Sequence, residues 1–221
     1  MFPARSSIFV APFTDAAQAL EFSSGSNFWT QTDFFGIDLT CLKDDAVSDH
    51  FSRPVVGVFD PSILLSTSCS YDIDLKTVSA AELQHVRIPF SFTIDRAALL
   101  HGVAFWFDVT FDGNTETVKL DTGPWAPATH WQQMRMFFSK PLGVNRGQRV
   151  VGYVQLDAHS YQSHVVHVQA ALEGTGIQTN GTYDLKNPVY ASFYSQAQTN
   201  GYSMSYGTTP AMHNGQESFT S

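Results

Sequence analysis

A chain of 221 residues with a formal net charge of −8 and a sequence pI near 5.3 lacks the basic surface of a nucleic-acid binder; the charge is read first as plain solubility and is mildly compatible with a basic, arginine-rich partner. Hydrophobic residues reach 43% against 14% charged, which excludes a chain disordered over most of its length and allows one sizeable core. Cys41 and Cys69 stand far apart without metal spacing, the start lacks a basic-then-apolar leader, and no apolar run approaches a membrane span; a soluble intracellular protein without a disulfide framework is expected.

Taken in order, Ala11 to Phe22 sets Asp15 before Ala16, Ala17, Ala19 and Leu20, predicting one short helix capped by Thr14 or Asp15. Asn27 to Phe35, with Phe28, Trp29, Phe34 and Phe35, reads as a strand or packed edge. Between Gly36 and Phe59, Asp44, Asp45, Asp49 and His50 lie among Leu39, Leu42, Val47 and Phe51, so an irregular or helical excursion closed by Pro54 is expected. From Ile63 onward the period becomes two. Val86, Ile88, Phe90, Phe92 and Ile94 alternate with polar residues, as do Met134, Met136 and Phe138, and Val166, Val168, Ala170 and Leu172.

Turn signals fall at Asp112-Gly113-Asn114, Asn145-Arg146-Gly147 and Asn180-Gly181. The whole predicts an all-β fold, an antiparallel barrel or sandwich with a small helical insertion, and no doubly wound parallel sheet. Asn180-Gly181-Thr182 matches a glycosylation acceptor and is read as a turn. After Tyr190 the composition turns to Ser, Gln, Asn, Gly, Thr and Tyr, with Glu217 the sole charged side chain. Residues 191–221 are therefore expected to be a disordered tail behind a domain at 1–190.

Few residues point to chemistry by themselves. His101 to Asp108 predicts a core strand with Trp106 and Phe107 on opposite faces. His130 follows a proline turn (Pro127-Ala128), where a lone histidine is ordinarily a surface or packing residue. His159, His164 and His167 do not converge, since alternation puts the last two on opposite faces, and no metal site is expected. Neither a nucleophile elbow nor a P-loop is present, and Gly174-Thr175-Gly176 is not a dinucleotide fingerprint. On composition and alternation alone, the chain is a β-sandwich or lectin-like binding module of unspecified ligand.

Taken together, His101-Gly102-Val103-Ala104-Phe105-Trp106-Phe107-Asp108, Thr129-His130-Trp131, Arg53-Pro54-Val55-Val56, Phe59-Asp60 and Asp184-Leu185-Lys186-Asn187-Pro188 resemble the C-terminal barrel half of type I protein arginine methyltransferases. Within them the likeness is to the coactivator-associated (histone) branch, and it runs from Met1 to about Tyr190. Such enzymes move the methyl group of S-adenosylmethionine to a guanidinium nitrogen. Because the guanidinium is charged and poorly nucleophilic, it must be held rigidly and polarised by carboxylates.

The resemblance implies that His130 supports catalysis by contacting a loop that carries two glutamates. It implies further that Trp131 walls the arginine channel, that Thr129 shapes the turn, and that Gln132 is a substrate contact where relatives commonly have tyrosine. Lys186, Asn187 and Tyr190 would line the peptide groove, although a final strand ended by Pro188 explains them equally. Residues 36–56 resemble a dimerisation arm, with Leu39, Leu42, Val47 and Phe51 as its apolar contacts; a covered surface insertion is the alternative.

Met1-Phe2-Pro3 matches an internal segment of the family, so the cofactor unit and both glutamates are expected upstream. The chain would then bind no S-adenosylmethionine and be inactive alone. The complete enzyme would be a homodimer making asymmetric dimethylarginine on histone tails and RNA-binding proteins in nucleus and cytoplasm. The alternative is a non-catalytic truncated module that binds peptides or poisons a dimer.

Overall fold

The computed structural model describes residues 2–191, which fold into two β-sheets with a helical excursion on the outer face of the larger one. The larger sheet holds β1 (Arg5–Phe13), β2 (Val55–Val56), β3 (Cys69–Asp74), β5 (Ala98–Asp112), β6 (Thr117–Asp121), β7 (Met134–Val144) and β11 (Val189–Tyr190). Its order is β11-β2-β7-β5-β1-β3, with β6 paired to β5. The smaller sheet holds β4 (His85–Thr93), β8 (Arg149–Ala158), β9 (His164–Leu172) and β10 (Gln178–Asp184), ordered β10-β9-β8-β4. The pairings are antiparallel except β11 beside β2. The chain is mainly β, as its alternation predicts.

The alternation of β4 buries Val86, Ile88, Phe90 and Phe92 and leaves the intervening residues exposed. They pack with Val150, Val154, Val166 and Val168 of the smaller sheet against Val10, Leu100, Val103, Phe105, Met136 and Phe138 of the larger. Each such side chain contributes roughly 1.5–3 kcal/mol on burial. A second cluster covers the outer face of the larger sheet: Ala11, Phe13, Phe22, Val55, Phe59, Leu64, Ala104, Trp106 and Phe137. Strands β5 and β7 are thus covered on both faces, which explains their unbroken apolar runs. Gly102 of β5 has no room for a side chain, because the Met136 carbonyl oxygen lies where a Cβ would stand.

Several local expectations change. Ala11 to Phe13 complete β1, and the helix α1 (Ala16–Ser24) begins only after Asp15, whose carboxylate accepts from the Gln18 backbone N–H. Asn27–Thr30 is a 3-10 helix rather than a strand. Its aromatics do not alternate across a pleat but meet edge to face, Phe28 on both Trp29 and Phe34, and Phe34 on Phe35. The chain reverses at Phe35 and Gly36, with φ of 52° and 83°. A short 3-10 turn (Thr40–Leu42) then leads into α2 (Lys43–Phe51), which carries Asp44 and Asp45 in its first turn and His50 in its last, as the helix dipole favours. A third helix, α3 (Ala80–Gln84), opens on a Ser79–Glu82 capping box.

Asn180-Gly181 is not a turn. It lies within β10, and the reversal falls around Gly174, at φ +73°. Gly181 is glycine because the Tyr183 phenol occupies the space of its missing Cβ. Nor does the closing strand reach Pro188: β10 ends at Asp184, whose carboxylate accepts from the Lys186 backbone N–H and turns the chain, and β11 begins after the proline. The expected disordered tail lies outside the described residues. Among those described, no helix is long and apolar enough to cross a membrane.

Candidate functional site

Thr129, His130 and Trp131 sit on the connection between β6 and β7, and its two ends are fastened to each other. The Gln133 side-chain amide donates to the Thr122 carbonyl at 2.7 Å, and both residues are buried. Thr122 is fixed in turn to β5: its hydroxyl donates to the Phe107 carbonyl at 2.7 Å and accepts from the Phe107 N–H at 3.2 Å. Within the loop the Thr129 hydroxyl donates to the Trp131 carbonyl at 2.9 Å and accepts from the Trp131 N–H at 3.2 Å. This local hydroxyl-to-backbone link sets the turn. His130 and Trp131 remain exposed, the indole edge-on to Phe107 and to the His130 ring, while Gln132 is half-buried. The structure therefore presents an imidazole and an indole side by side on a pinned loop.

Just beyond lies a charge that the sequence reading did not single out. Arg135 of β7 is 2% exposed, and its Nη1 donates to the Asp15 carboxylate at 2.6 Å. Burial pulls its pKa below the ordinary value, and Asp15 offsets part of that. The guanidinium lies between the Phe59 and Phe137 rings, and its Nε and Nη2 have no partner. Asp15 also reaches β5, because its backbone N–H donates to His101 Nδ1 at 3.1 Å. The signal for this pair was present: an arginine inside the run Met134-Arg135-Met136-Phe137-Phe138 has to be paired if the run is buried.

The four predicted arm contacts differ in setting. Phe51 packs inward, edge-on to Phe22, whereas Leu39 and Val47 are half-buried and Leu42 is exposed. Along the stretch from α1 through α2 the largest apolar exposure belongs to Phe35 at 92%, Leu20 at 72% and Ile37 at 60%. These three were not among the predicted contacts, since periodicity alone does not separate a solvent-facing aromatic from a packed one.

Lys186, Asn187 and Tyr190 are exposed and lie along one short stretch. Arg53 donates to the Asn187 carbonyl and side-chain oxygens at 3.3 and 3.4 Å, so this stretch is tied to the end of the excursion. Lys186 Nζ meets His159 Nδ1 at 2.9 Å. The other histidines have separate partners: His164 Nε2 meets the Leu83 carbonyl and His167 Nδ1 meets the Thr182 hydroxyl. Among the described residues no set of three His, Cys, Asp or Glu is placed to hold a metal.

A two-sheet β-domain with an aromatic excursion and an exposed Thr-His-Trp loop defines a particular class of domain. Residues 4–175 match the arginine methyltransferase oligomerization subdomain, and the chain belongs to that family. Over 190 residues, 86% of the chain, it is 39% identical to the histone-arginine methyltransferase CARMER of Anopheles gambiae and 40% identical to that of Aedes aegypti. It spans only 30% and 32% of the length of those two relatives. The fold also matches a Trypanosoma brucei PRMT1 enzyme-prozyme heterotetrameric complex with AdoHcy, at a TM-score of 0.66 and 19% identity, covering 83% of this chain and 58% of that one. Arabidopsis thaliana protein arginine methyltransferase 10 matches with a TM-score of 0.67 at 18% identity, over 83% and 60% of the two chains.

Proposed function

We propose that this chain is the substrate-side and oligomerisation half of an S-adenosylmethionine-dependent protein arginine N-methyltransferase of type I. The observation that carries the reading is the fastened loop that holds His130 and Trp131 in the open, in a chain of this family. A bound guanidinium needs a flat wall and a fixed orientation, and an indole supplies both through its face. His130, beside it, is placed to meet a carboxylate-bearing loop from the cofactor half. Thr129 fixes the turn, Gln132 borders the peptide, and Lys186, Asn187 and Tyr190 continue the groove. The substrates are histone tails and RNA-binding proteins, the product is asymmetric dimethylarginine, and the complete enzyme works in nucleus and cytoplasm as a homodimer through the arm at 36–56.

The cofactor belongs elsewhere. Among the described residues no strand feeds a glycine turn and a helix N-terminus, the arrangement that holds a nucleotide-like cofactor in doubly wound folds. These residues do not fit S-adenosylmethionine, and the 221 residues alone are expected to be inactive.

The test joins this chain to the cofactor-side portion of the Aedes aegypti relative and assays methyl transfer to a histone-tail peptide. The joined protein is expected to turn over, and His130→Ala and Trp131→Ala each to lower kcat/KM by about tenfold or more. Turnover by the chain alone would overturn its non-catalytic status. A joined protein indifferent to both substitutions would overturn the site.

A further inference from the structure

Gln133, which immediately precedes β7, and Arg135 and Phe137 within it are alternate residues that no part of the proposed chemistry uses. Arg135 and Phe137 lie on the outer face of the larger sheet, away from Met136 and Phe138 of the inner core, and Gln133 is the last residue of the connection that leads into the strand. Gln133 fastens the loop, and Arg135 and Phe137 both bear on α1. Gln133 closes the Thr129–Trp131 loop on Thr122 at 2.7 Å. Arg135 holds the Asp15 carboxylate at 2.6 Å, and that same carboxylate caps α1 at the Gln18 N–H. Phe137 stacks on Phe22 at 5.3 Å, and Phe22 meets His50 and Phe51 of α2. The start of β7 therefore bears on the loop and on α1, and α1 in turn meets α2 through Phe22.

Two of these side chains are also under-satisfied. Gln133 Oε1 and Arg135 Nε and Nη2 are buried without partners. A buried cation held through one nitrogen is costly, and the cost is bearable only where the surroundings fix it in place. Such a group is sensitive to the position of its one strong partner. Asp15 is bonded to the first turn of α1 at the Gln18 N–H, and α1 is followed by the segment that carries α2.

We propose that Arg135 and Gln133 are positioning residues that couple the excursion to the Thr129–Trp131 loop through β7. A displacement of α1 reaches the Arg135 guanidinium through Asp15. It then passes two residues along the chain to the Gln133 clasp and resets the Trp131 indole. The proposal rests on the reading of that loop as the wall of an arginine channel for its significance, but the coupling itself is a property of this chain. It makes occupancy of the arm by a second subunit a determinant of how the guanidinium is held.

The test uses the full chain labelled with 5-fluorotryptophan, with resonances assigned by Trp→Phe replacement at Trp29, Trp106, Trp125 and Trp131. Asp15→Asn, which keeps the cap oxygen and removes the charge, is expected to shift the Trp131 fluorine resonance. In the Arg135→Met background the same change is expected to leave Trp131 where it is, and Gln133→Met is expected to abolish the response while leaving Trp106 in place. An Asp15→Asn effect on Trp131 of equal size with and without Arg135 overturns the coupling, and so does no effect at all. Trp106, packed in the core, reports folding. Should Arg135→Met lose the Trp106 signal, Arg135→Lys takes its place, since lysine keeps the charge but not the fork, and the Asp15 response should then be reduced rather than lost. No peptide or cofactor enters this experiment, so its failure leaves the methyltransferase reading standing, and failure of the methylation assay leaves the coupling standing.

Discussion

His101 is 7% exposed, and its Nδ1 accepts from the Asp15 N–H at 3.1 Å with the Thr14 hydroxyl 3.4 Å away. That nitrogen has to stay unprotonated for the hydrogen bond to exist. Desolvation pulls the imidazole's pKa below 6.5, and the Asp15 charge draws it only partly back. The unfolded chain then binds the proton more readily than the folded one, so stability present above pH 6.5 is lost as the pH falls through the folded value. Thermal melts between pH 7.5 and pH 5 should show a falling Tm, and His101→Asn, which keeps an acceptor but cannot titrate, should flatten that slope. An unchanged slope in the variant would assign the acid sensitivity to groups other than His101. At this scale the sequence was legible mainly through pattern: Trp106 and Phe107 do face opposite ways, meeting Phe9 and Trp131 respectively. Gln133 and Asp15 were not legible as connectors, because a side chain that bonds 11 or 120 residues away leaves no local trace.

Among the elements, β4 and β9 follow their alternation closely because each has one core face and one wet face. The excursion at 27–51 was read less well. Its aromatics satisfy one another through ring contacts and short helical turns, and such packing imposes no period on the sequence. Gly181 shows the same difficulty in reverse: an Asn-Gly pair carries a strong turn signal, yet here the glycine makes room for Tyr183, whose hydroxyl donates to the Phe137 carbonyl at 3.0 Å across the two sheets. Two glycines give a direct comparison. Gly102→Ala forces a methyl onto the Met136 carbonyl oxygen, while Gly143 has nothing within 4 Å of a built Cβ. Urea titration should find Gly102→Ala destabilising by about 1–3 kcal/mol. Gly143→Ala should be neutral or stabilising by up to about 1 kcal/mol. Equal costs at the two positions would show that the β5–β7 approach is looser than described.

For the molecule as a whole, the exposed side chains of Leu20, Phe28, Phe35, Ile37 and Leu42 lie on one continuous stretch that runs from α1 to α2. Scattered apolar exposure is ordinary, but a concentration on one projecting segment marks an interaction surface. Self-association of the chain, followed by sedimentation velocity over a concentration series, should weaken about tenfold or more when Phe35→Ser and Ile37→Ser are combined, a change of about 1.4 kcal/mol or more. A sedimentation coefficient independent of both concentration and these substitutions would exclude the segment as a contact. The sequence made the fold class accessible and put Thr129–Trp131 on a loop, but it read residues 27–35 as a strand or packed edge outside the excursion. Which side of the excursion stays wet depends on Phe22, Phe51 and Phe137 meeting from three distant stretches, and that only the folded chain displays.

The root of the excursion, Val55–Val56, is a two-residue strand flanked by β7 on one side and by the last described strand, Val189–Tyr190, on the other. Closing contacts across so many intervening residues comes late in folding, since the chain entropy lost is large and the pairing gained is small. During synthesis the root therefore stays half-paired until Tyr190 has left the ribosome. On the proposed reading of the excursion as a dimerisation arm, its root becomes firm only once Val189–Tyr190 has paired with Val55–Val56, so pairing of subunits follows that closure rather than the emergence of the arm.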